Sequence, residues 1–170
     1  MLTVQLLLEL IRPGDWATSL DLKDAFLHVP IFPEHRKYLR FHFRGQSYQY
    51  NVMPFGYSLA PMVFTRMLET PLAALKKEGL RIYQYIDDLL ALAINPQLAR
   101  HLTMRLAARL QTLGFSINWK KSAPEPTQRP VYLGVQLDTV HMRASLSEAR
   151  RVNLMLLLNR LIRHVLVVYP

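Results

Sequence analysis

The chain has 170 residues, 51% hydrophobic and 19% charged, which is enough apolar material for one globular domain with a sizeable core. Cysteine is absent, so a disulfide framework and a thiolate metal site are excluded and an intracellular setting, cytoplasm or nucleus, is expected. The remaining donors are carboxylates, carbonyls and histidines, a set that suits hard cations such as magnesium. The formal charge of +9, from 21 Lys and Arg against 12 Asp and Glu, suits a polyanionic partner, because neutralised phosphates release counterions. Acidic proteins and anionic membranes attract the same charge.

Leu2, Leu6, Leu7 and Leu10 recur at helical spacing and predict an amphipathic leading helix, ended by the turn residues Arg12-Pro13-Gly14-Asp15. Glu9 interrupts that apolar run and no basic residues precede it, which argues against a signal peptide. Trp16 to Val29 reads as a strand running into a turn, and Pro30 to His35 as loop. Between Lys37 and Phe43, Tyr38, Arg40 and His42 alternate with Leu39, Phe41 and Phe43, the pattern of a half-buried strand. Arg44-Gly45-Gln46 would turn it into a second strand over Ser47 to Val52.

Ala60 to Lys77 reads as a helix with Val63, Met67, Leu68, Leu72 and Leu75 inward. Ile82 to Ile86 and Leu89 to Ala93 are short apolar runs separated by Asp87-Asp88. Leu98, Leu102, Leu106, Leu110 and Leu113 mark a long helix that Gly114 ends. Val131 to Leu137 reads as one strand, followed by a turn and a last basic, leucine-rich helix capped by Ser147. The run Leu154 to Val168 is broken by Asn159, Arg160, Arg163 and His164 and does not read as a membrane span. Hairpins interspersed with helices predict an α+β domain with an antiparallel sheet packed on helices.

The chemistry concentrates in the acidic residues. Asp87 and Asp88 interrupt an apolar run, and a two-residue turn there would put both at the tip of a hairpin. Neighbouring side chains on extended backbone point to opposite faces, so the two cannot be equivalent ligands. Asp21, between Leu20 and Leu22 on a neighbouring strand, is the best third carboxylate. Clustered carboxylates hold the paired ions, about 3.5–4 Å apart, that phosphoryl transfer uses. The same spacing also describes a solvated turn, and spacing alone does not separate the two readings. His28, His35, His42, His101, His141 and His164 are scattered without metal-ligand spacing and are assigned no site.

The order of the motifs adds a resemblance. Ser19-Leu20-Asp21-Leu22-Lys23-Asp24-Ala25-Phe26 resembles the first palm motif of reverse transcriptases, and Asn51-Val52-Met53-Pro54-Phe55-Gly56 through Ala60-Pro61 and Phe64 the second. Tyr85-Ile86-Asp87-Asp88 is similar to the Tyr-X-Asp-Asp box of that family. Gly114-Phe115 to Lys120-Lys121 resembles its lysine-bearing motif, and Tyr132-Leu133-Gly134 its primer-grip strand. Within the family, Arg12-Pro13-Gly14-Asp15-Trp16, Phe41 to Gln46 and Thr127-Gln128-Arg129 resemble the tyrosine-recombinase (DIRS-type) retrotransposons, with long-terminal-repeat elements next.

The resemblance implies a polymerase palm with partial fingers and the beginning of a thumb. It implies RNA-directed DNA polymerase activity, in which two Mg2+ ions, or Mn2+, transfer a deoxynucleotide onto a primer 3′-hydroxyl. Asp21 and Asp87 would be the main metal ligands, with Asp88 beside them and the Leu22 carbonyl in addition. Asp24 and Ala25 would present backbone N–H groups to the triphosphate, Phe26 would exclude a 2′-hydroxyl, and Phe55 and Gly56 would border the nascent base pair. Lys121, or Lys120, would protonate the departing pyrophosphate, or else be a solvated lysine. Tyr85 would contact primer or template backbone or simply complete its strand, and Tyr132, Leu133 and Gly134 would hold the primer end. Arg36, Lys37, Arg40 and Arg44 would meet template phosphate or form a solvated strand face.

The implied organisation is a leading helix over 1–15, a palm with a finger-side hairpin over 16–138, and the primer-grip exit with the start of a thumb over 139–170. Partners would be an RNA or DNA template with primer, deoxynucleoside triphosphates, and the remaining fingers, thumb and ribonuclease H parts of a longer polyprotein, with no membrane. Only a short helix precedes Asp21, so the chain reads as a fragment with weak or no activity alone. The alternatives are an inactive nucleic-acid-binding remnant, an RNA-templated RNA polymerase, which Phe26 and Tyr85 oppose, and a metal phosphatase or nuclease, which leaves the other motifs unexplained.

Overall fold

The computed structural model describes the backbone of residues 4–168 and the side chains of residues 5–162. Helix α1 covers Val4–Leu10; the part of the leading helix that contains Leu2 lies outside the described residues. Leu7 is buried, but Leu6 is exposed, so the apolar stripe of α1 is narrower than its leucine spacing predicts. Strand β1 (Trp16–Asp21) follows, then a 3-10 turn (Ala25–His28) and a longer 3-10 segment (Pro33–Leu39). The strand predicted from Lys37 therefore begins only at Arg40, as β2 (Arg40–Phe43), paired with β3 (Gln46–Gln49). Pro33 opens that 3-10 segment, where its missing N–H costs nothing.

The β2–β3 hairpin is not half-buried. Every residue on both strands is exposed, because the pair forms a separate two-stranded sheet with no layer against either face. Helix α2 (Ala60–Lys77) lies where its periodicity places it, with Phe64, Leu68, Leu72 and Leu75 buried and Val63 and Met67 half-buried. Strands β4 (Arg81–Tyr85) and β5 (Asp88–Ala93) form a hairpin. Helix α3 (Pro96–Thr112) starts one turn-signal earlier than its leucines suggest: the Asn95 side chain accepts the Leu98 N–H at 2.8 Å, and Pro96 sits in the first turn. Leu98 and Leu113, at its two ends, are exposed.

Strand β6 (Ala123–Thr127) carries Pro124 and Pro126, neither of which can donate to a ladder. They are tolerated because β6 is the edge of the four-stranded sheet, whose order is β4-β5-β1-β6 and whose pairings are antiparallel. The segment Val131 to Leu137 is not one strand. It folds as β7 (Val131–Tyr132) and β8 (Val135–Asp138) around Leu133-Gly134, and β9 (Arg143–Leu146) completes a three-stranded sheet. Leu133 (φ 51°) and Gly134 (φ 73°) are both left-handed, the geometry a two-residue hairpin turn needs. Helix α4 (Glu148–Val168) begins after Ser147, whose carbonyl accepts the Arg151 N–H at 2.9 Å. No described helix is long and apolar enough to cross a membrane.

The four-stranded sheet is covered on both faces. Leu20, Ile82 and Leu89 point to one face and pack with Phe64 and Leu68 of α2 and Leu106 and Leu110 of α3. Ala17, Leu90 and Leu92 point to the other and pack with Leu7 and Ile11 below α1 and Tyr132 and Leu137 of the small sheet. This explains why β5 is a nearly unbroken apolar run: it is buried on both sides. The α+β palm architecture expected from the hairpins and helices is the one observed.

Candidate active site

The register of the sheet assembles the carboxylates. Pairing of β1 with β5 sets Asp21 directly opposite Asp88, and pairing of β4 with β5 sets Tyr85 opposite Asp88 from the other side. Alternation puts Asp21, Asp88 and Tyr85 on the same face as Ala17, Leu90 and Tyr132, away from α2 and α3.

The turn between β4 and β5 differs from the expected one. Its two residues are Ile86 and Asp87; Asp88 is already the first residue of β5, so only one aspartate occupies the tip. Ile86 has φ 54°, a left-handed conformation that a β-branched residue adopts at a cost of about 1–2 kcal/mol. That strain is held by what surrounds it. The Asp87 carbonyl accepts the Leu22 N–H at 3.0 Å, and Gln84 Nε2 donates to the Ile86 carbonyl at 3.2 Å.

Asp21 is fixed from its own flank. Its backbone N–H donates to Ser122 Oγ at 3.0 Å, its carbonyl accepts the Asn118 N–H at 2.8 Å, and Ser122 Oγ donates to the Asn118 carbonyl at 2.8 Å. Asn118 and Ser122 were not singled out by sequence reasoning. The only signal was that Asn118 lies in the lysine-bearing motif and Ser122 just beyond it, where the lysines draw attention.

Electrostatics tie the group together. Burial, and then the charges of Asp87 and Asp21, push the Asp88 carboxyl up to about 6. Burial also raises Asp21, with the Asp87 charge adding to it, and the Lys121 ammonium and an Asn118 hydrogen bond opposing. Lys121 is thus close enough to both carboxylates to be felt, while its side chain remains exposed. Among the described residues, no three His, Asp or Glu side chains are already gathered round one point as a metal cage. The donor set nevertheless fits a hard cation: Asp21 and Asp88 are both raised, each in part by the Asp87 charge, and a divalent ion would relieve that repulsion.

Tyr132 is buried and its hydroxyl donates to the Asp88 backbone carbonyl at 3.0 Å, joining the small sheet to the aspartate strand. Burial and the neighbouring aspartates push its phenol further above its ordinary range, so it remains a donor. Gly134, at the following turn, accepts the Ser147 N–H through its carbonyl at 3.1 Å.

The remaining predicted residues lie on the segment after Asp21 and on the approach to α2. Asp24 is left-handed (φ 52°) at the entry of the 3-10 turn that holds Ala25 and Phe26. The Phe26 ring is half-buried, 5.3 Å from Phe55 and 6.0 Å edge-on to Phe64. Phe55 is 66% exposed, so the aromatic pair presents one open ring. Gly56 has φ 89°, a conformation that favours glycine and carries the chain from Phe55 towards α2. Leu22 is buried and bridged to Ile117.

Comparison with known proteins agrees with this arrangement. The family model described as reverse transcriptase (RNA-dependent DNA polymerase) matches residues 4–137. Protein P of duck hepatitis B virus (isolate white Shanghai duck S31) is 30% identical over 128 residues, 74% of this chain and 16% of the relative. A second isolate's Protein P is 30% identical over 139 residues, 80% of this chain and 17% of that relative. The chain thus spans only 16% to 17% of the length of these relatives. Foamy viral protease-reverse transcriptase in complex with RNA/DNA hybrid superposes with a TM-score of 0.72 at 19% identity, covering 84% of this chain and 19% of that one. Its complex with double-stranded DNA gives 0.71 at 19% identity, covering 82% and 23%. With the family match running from α1 into β8 and the same fold in both solved structures, the chain belongs to the reverse transcriptase (RNA-dependent DNA polymerase) family.

Proposed function

We propose that this chain is the catalytic palm of an RNA-directed DNA polymerase, with Asp21, Asp87 and Asp88 as its metal-binding carboxylates. The observation that carries the reading is the register that sets Asp21 opposite Asp88 beside a strained turn bearing Asp87. Two Mg2+ ions, or Mn2+, held by these side chains and the Leu22 carbonyl would activate the primer hydroxyl and neutralise the leaving pyrophosphate. The chain's own residues supply the rest. Asp24 and Ala25 offer N–H groups at a left-handed turn, a backbone shape that suits phosphate oxygens. Phe26, edge-on to Phe64, would exclude a 2′-hydroxyl, and Phe55 and Gly56 would border the new base pair. Lys121, whose charge reaches Asp21 and Asp88, would protonate the departing pyrophosphate. Tyr85, Tyr132, Leu133 and Gly134 form the primer side.

Template, primer and deoxynucleoside triphosphates are the proposed partners, inside the cell, with further polymerase parts on the same polyprotein. The proposed organisation keeps the palm and finger-side hairpin over 16–138 and a thumb beginning within 139–170. Arg12 to Trp16 and Thr127 to Arg129 support a DIRS-type retrotransposon origin, with long-terminal-repeat elements second. A second reading, nucleic-acid binding without turnover, rests on the formal charge of +9.

Primer extension on an RNA template with deoxynucleotides and Mg2+ or Mn2+ tests the first reading. It predicts slow, metal-dependent addition that is lost in Asp87→Asn, and ribonucleotide incorporation that increases in Phe26→Ala. Addition that survives Asp87→Asn contradicts it, and no addition from a folded chain favours binding without turnover.

A further inference from the structure

Strand β1 has a neighbour on each side, and beside Asp21 only one of them is regular. Towards β5 the ladder is unbroken up to the pair of Asp21 with Asp88. Towards β6 it is interrupted: Ser19 pairs with Ala123 and Leu22 is bridged to Ile117, so the five residues 118–122 stand opposite only two, Leu20 and Asp21. The excess leaves the ladder as a tight turn, and that turn carries Lys121 beside the carboxylates.

In a hydrogen-bonded antiparallel pair the two residues exchange both N–H···O bonds. Asp21 and Asn118 make one of the two, the Asn118 N–H donating to the Asp21 carbonyl at 2.8 Å. The Asn118 carbonyl is taken up inside the turn, where it accepts the Lys121 N–H at 3.1 Å, the Ser122 N–H at 3.0 Å and Ser122 Oγ at 2.8 Å. The Asp21 N–H has therefore lost its ladder acceptor, and Ser122 Oγ accepts it instead at 3.0 Å. One hydroxyl accepts from β1 and donates to the turn at the same time. Threonine could do the same; alanine could not.

We propose that Ser122 is a positioning residue of the carboxylate centre: its hydroxyl replaces the missing ladder bond, holds the Asp21 peptide in register with Asp88, and so sets how tightly the centre takes a divalent cation. The inference rests on the reading of Asp21, Asp87 and Asp88 as metal ligands. The same turn also supplies charge control. Burial raises the Asp21 carboxyl, and the Lys121 ammonium and an Asn118 side-chain hydrogen bond, both from this turn, oppose that rise. Loss of the Ser122 bond would free both the peptide that aims Asp21 and the turn that carries Lys121.

The test is Mn2+ affinity of the whole chain by electron paramagnetic resonance, read beside urea denaturation and amide exchange of the metal-free protein. Ser122→Ala is expected to bind Mn2+ about threefold to tenfold more weakly than wild type, the loss of one hydrogen bond coupled to the site. Ser122→Thr is expected to stay within about twofold of wild type, and Ser122→Cys, whose thiol is a weaker partner, to fall between them. Thr103→Val is the control. It removes a second side-chain bond to β1, the buried one between Thr103 and the Thr18 hydroxyl, and is expected to cost stability without moving Mn2+ affinity. The Asp21 amide is expected to exchange faster, relative to the amides of β5, in Ser122→Ala and not in Thr103→Val. Wild-type affinity in Ser122→Ala, equal weakening in Ser122→Ala and Thr103→Val, or weakening that Ser122→Thr does not restore would each overturn the proposal while leaving the carboxylate reading in place. A wild-type chain that takes up no Mn2+ would overturn both.

Discussion

Tyr132 joins two regions that the sequence separates by more than forty residues, and it does so through one hydroxyl on the Asp88 carbonyl. Tyr132→Phe keeps the ring in its cluster and removes only that bond, so the fold is expected to lose about 1 kcal/mol in chemical denaturation. A much larger loss would show that the hydroxyl does more than bridge. Ile86 provides a second test at the same scale. Ile86→Gly removes the left-handed strain of a β-branched residue, at the expense of its partly buried side chain and a freer unfolded chain. The expected net change is within about 1 kcal/mol, accompanied by faster amide exchange at Asp87; an unaltered exchange rate would mean that Ile86 does not hold the tip. Sequence spacing identified the three aspartates but not which residues form their turn. Turn boundaries depend on the pairing of Tyr85 with Asp88, and the pairing partner is a non-local fact.

Two small networks hold the elements to one another. Asp15 is buried and accepts Arg81 Nη1 at 2.7 Å through Oδ1, while Arg81 Nη2 also donates to the Leu10 carbonyl at 2.7 Å. This locks the end of α1 to β4. Removing either partner strands a buried charge, so Arg81→Met is expected to cost about 3 kcal/mol or more, measured by urea denaturation, and Asp15→Asn somewhat less. At the β8–β9 hairpin, Asp138 Oδ1 accepts the Val140 and His141 N–H groups at 3.0 and 2.9 Å. Hydrogen bonds from His141, with the Arg129 charge adding, hold the Asp138 carboxyl down to about 2. A depressed carboxylate contributes stability above its unfolded value and loses it as pH falls through the folded one. The hairpin is therefore expected to loosen between about pH 4 and pH 2, and Asp138→Ala to remove that step from an acid titration followed by NMR. A step that persists in the variant would assign it to other carboxylates. Element scale is also where sequence reading failed most: β6 hides behind Pro124 and Pro126, β7 and β8 were read as one strand because Leu133 masks a turn that Gly134 alone only half signals, and β9 was read as turn. Helices α2 and α3, with long periodic stripes, were legible almost to their ends.

At the scale of the whole molecule, the double-sided sheet explains why the centre is where it is. One face buries α2 and α3, the other α1 and the small sheet, and the open end of β1 and β5 carries the acidic pair. The hairpin lies on a sheet of its own, exposed on both faces, and α4 presents Val152, Met155, Leu156 and Leu161 to solvent. Family and fold were readable because several short motifs, from Ser19 to Gly134, occur in order along one chain. The support under them was not: Ser122, Asn118 and the Tyr132 hydroxyl act through backbone atoms, which side-chain motifs do not record. The central claim is that three carboxylates at the end of this sheet form a divalent-cation site. Mn2+ binding followed by electron paramagnetic resonance tests it without requiring turnover. Saturable binding by the wild-type chain, weakened at least tenfold in Asp87→Asn and in Asp21→Asn, is the predicted result. Equal binding by wild type and both variants would contradict it.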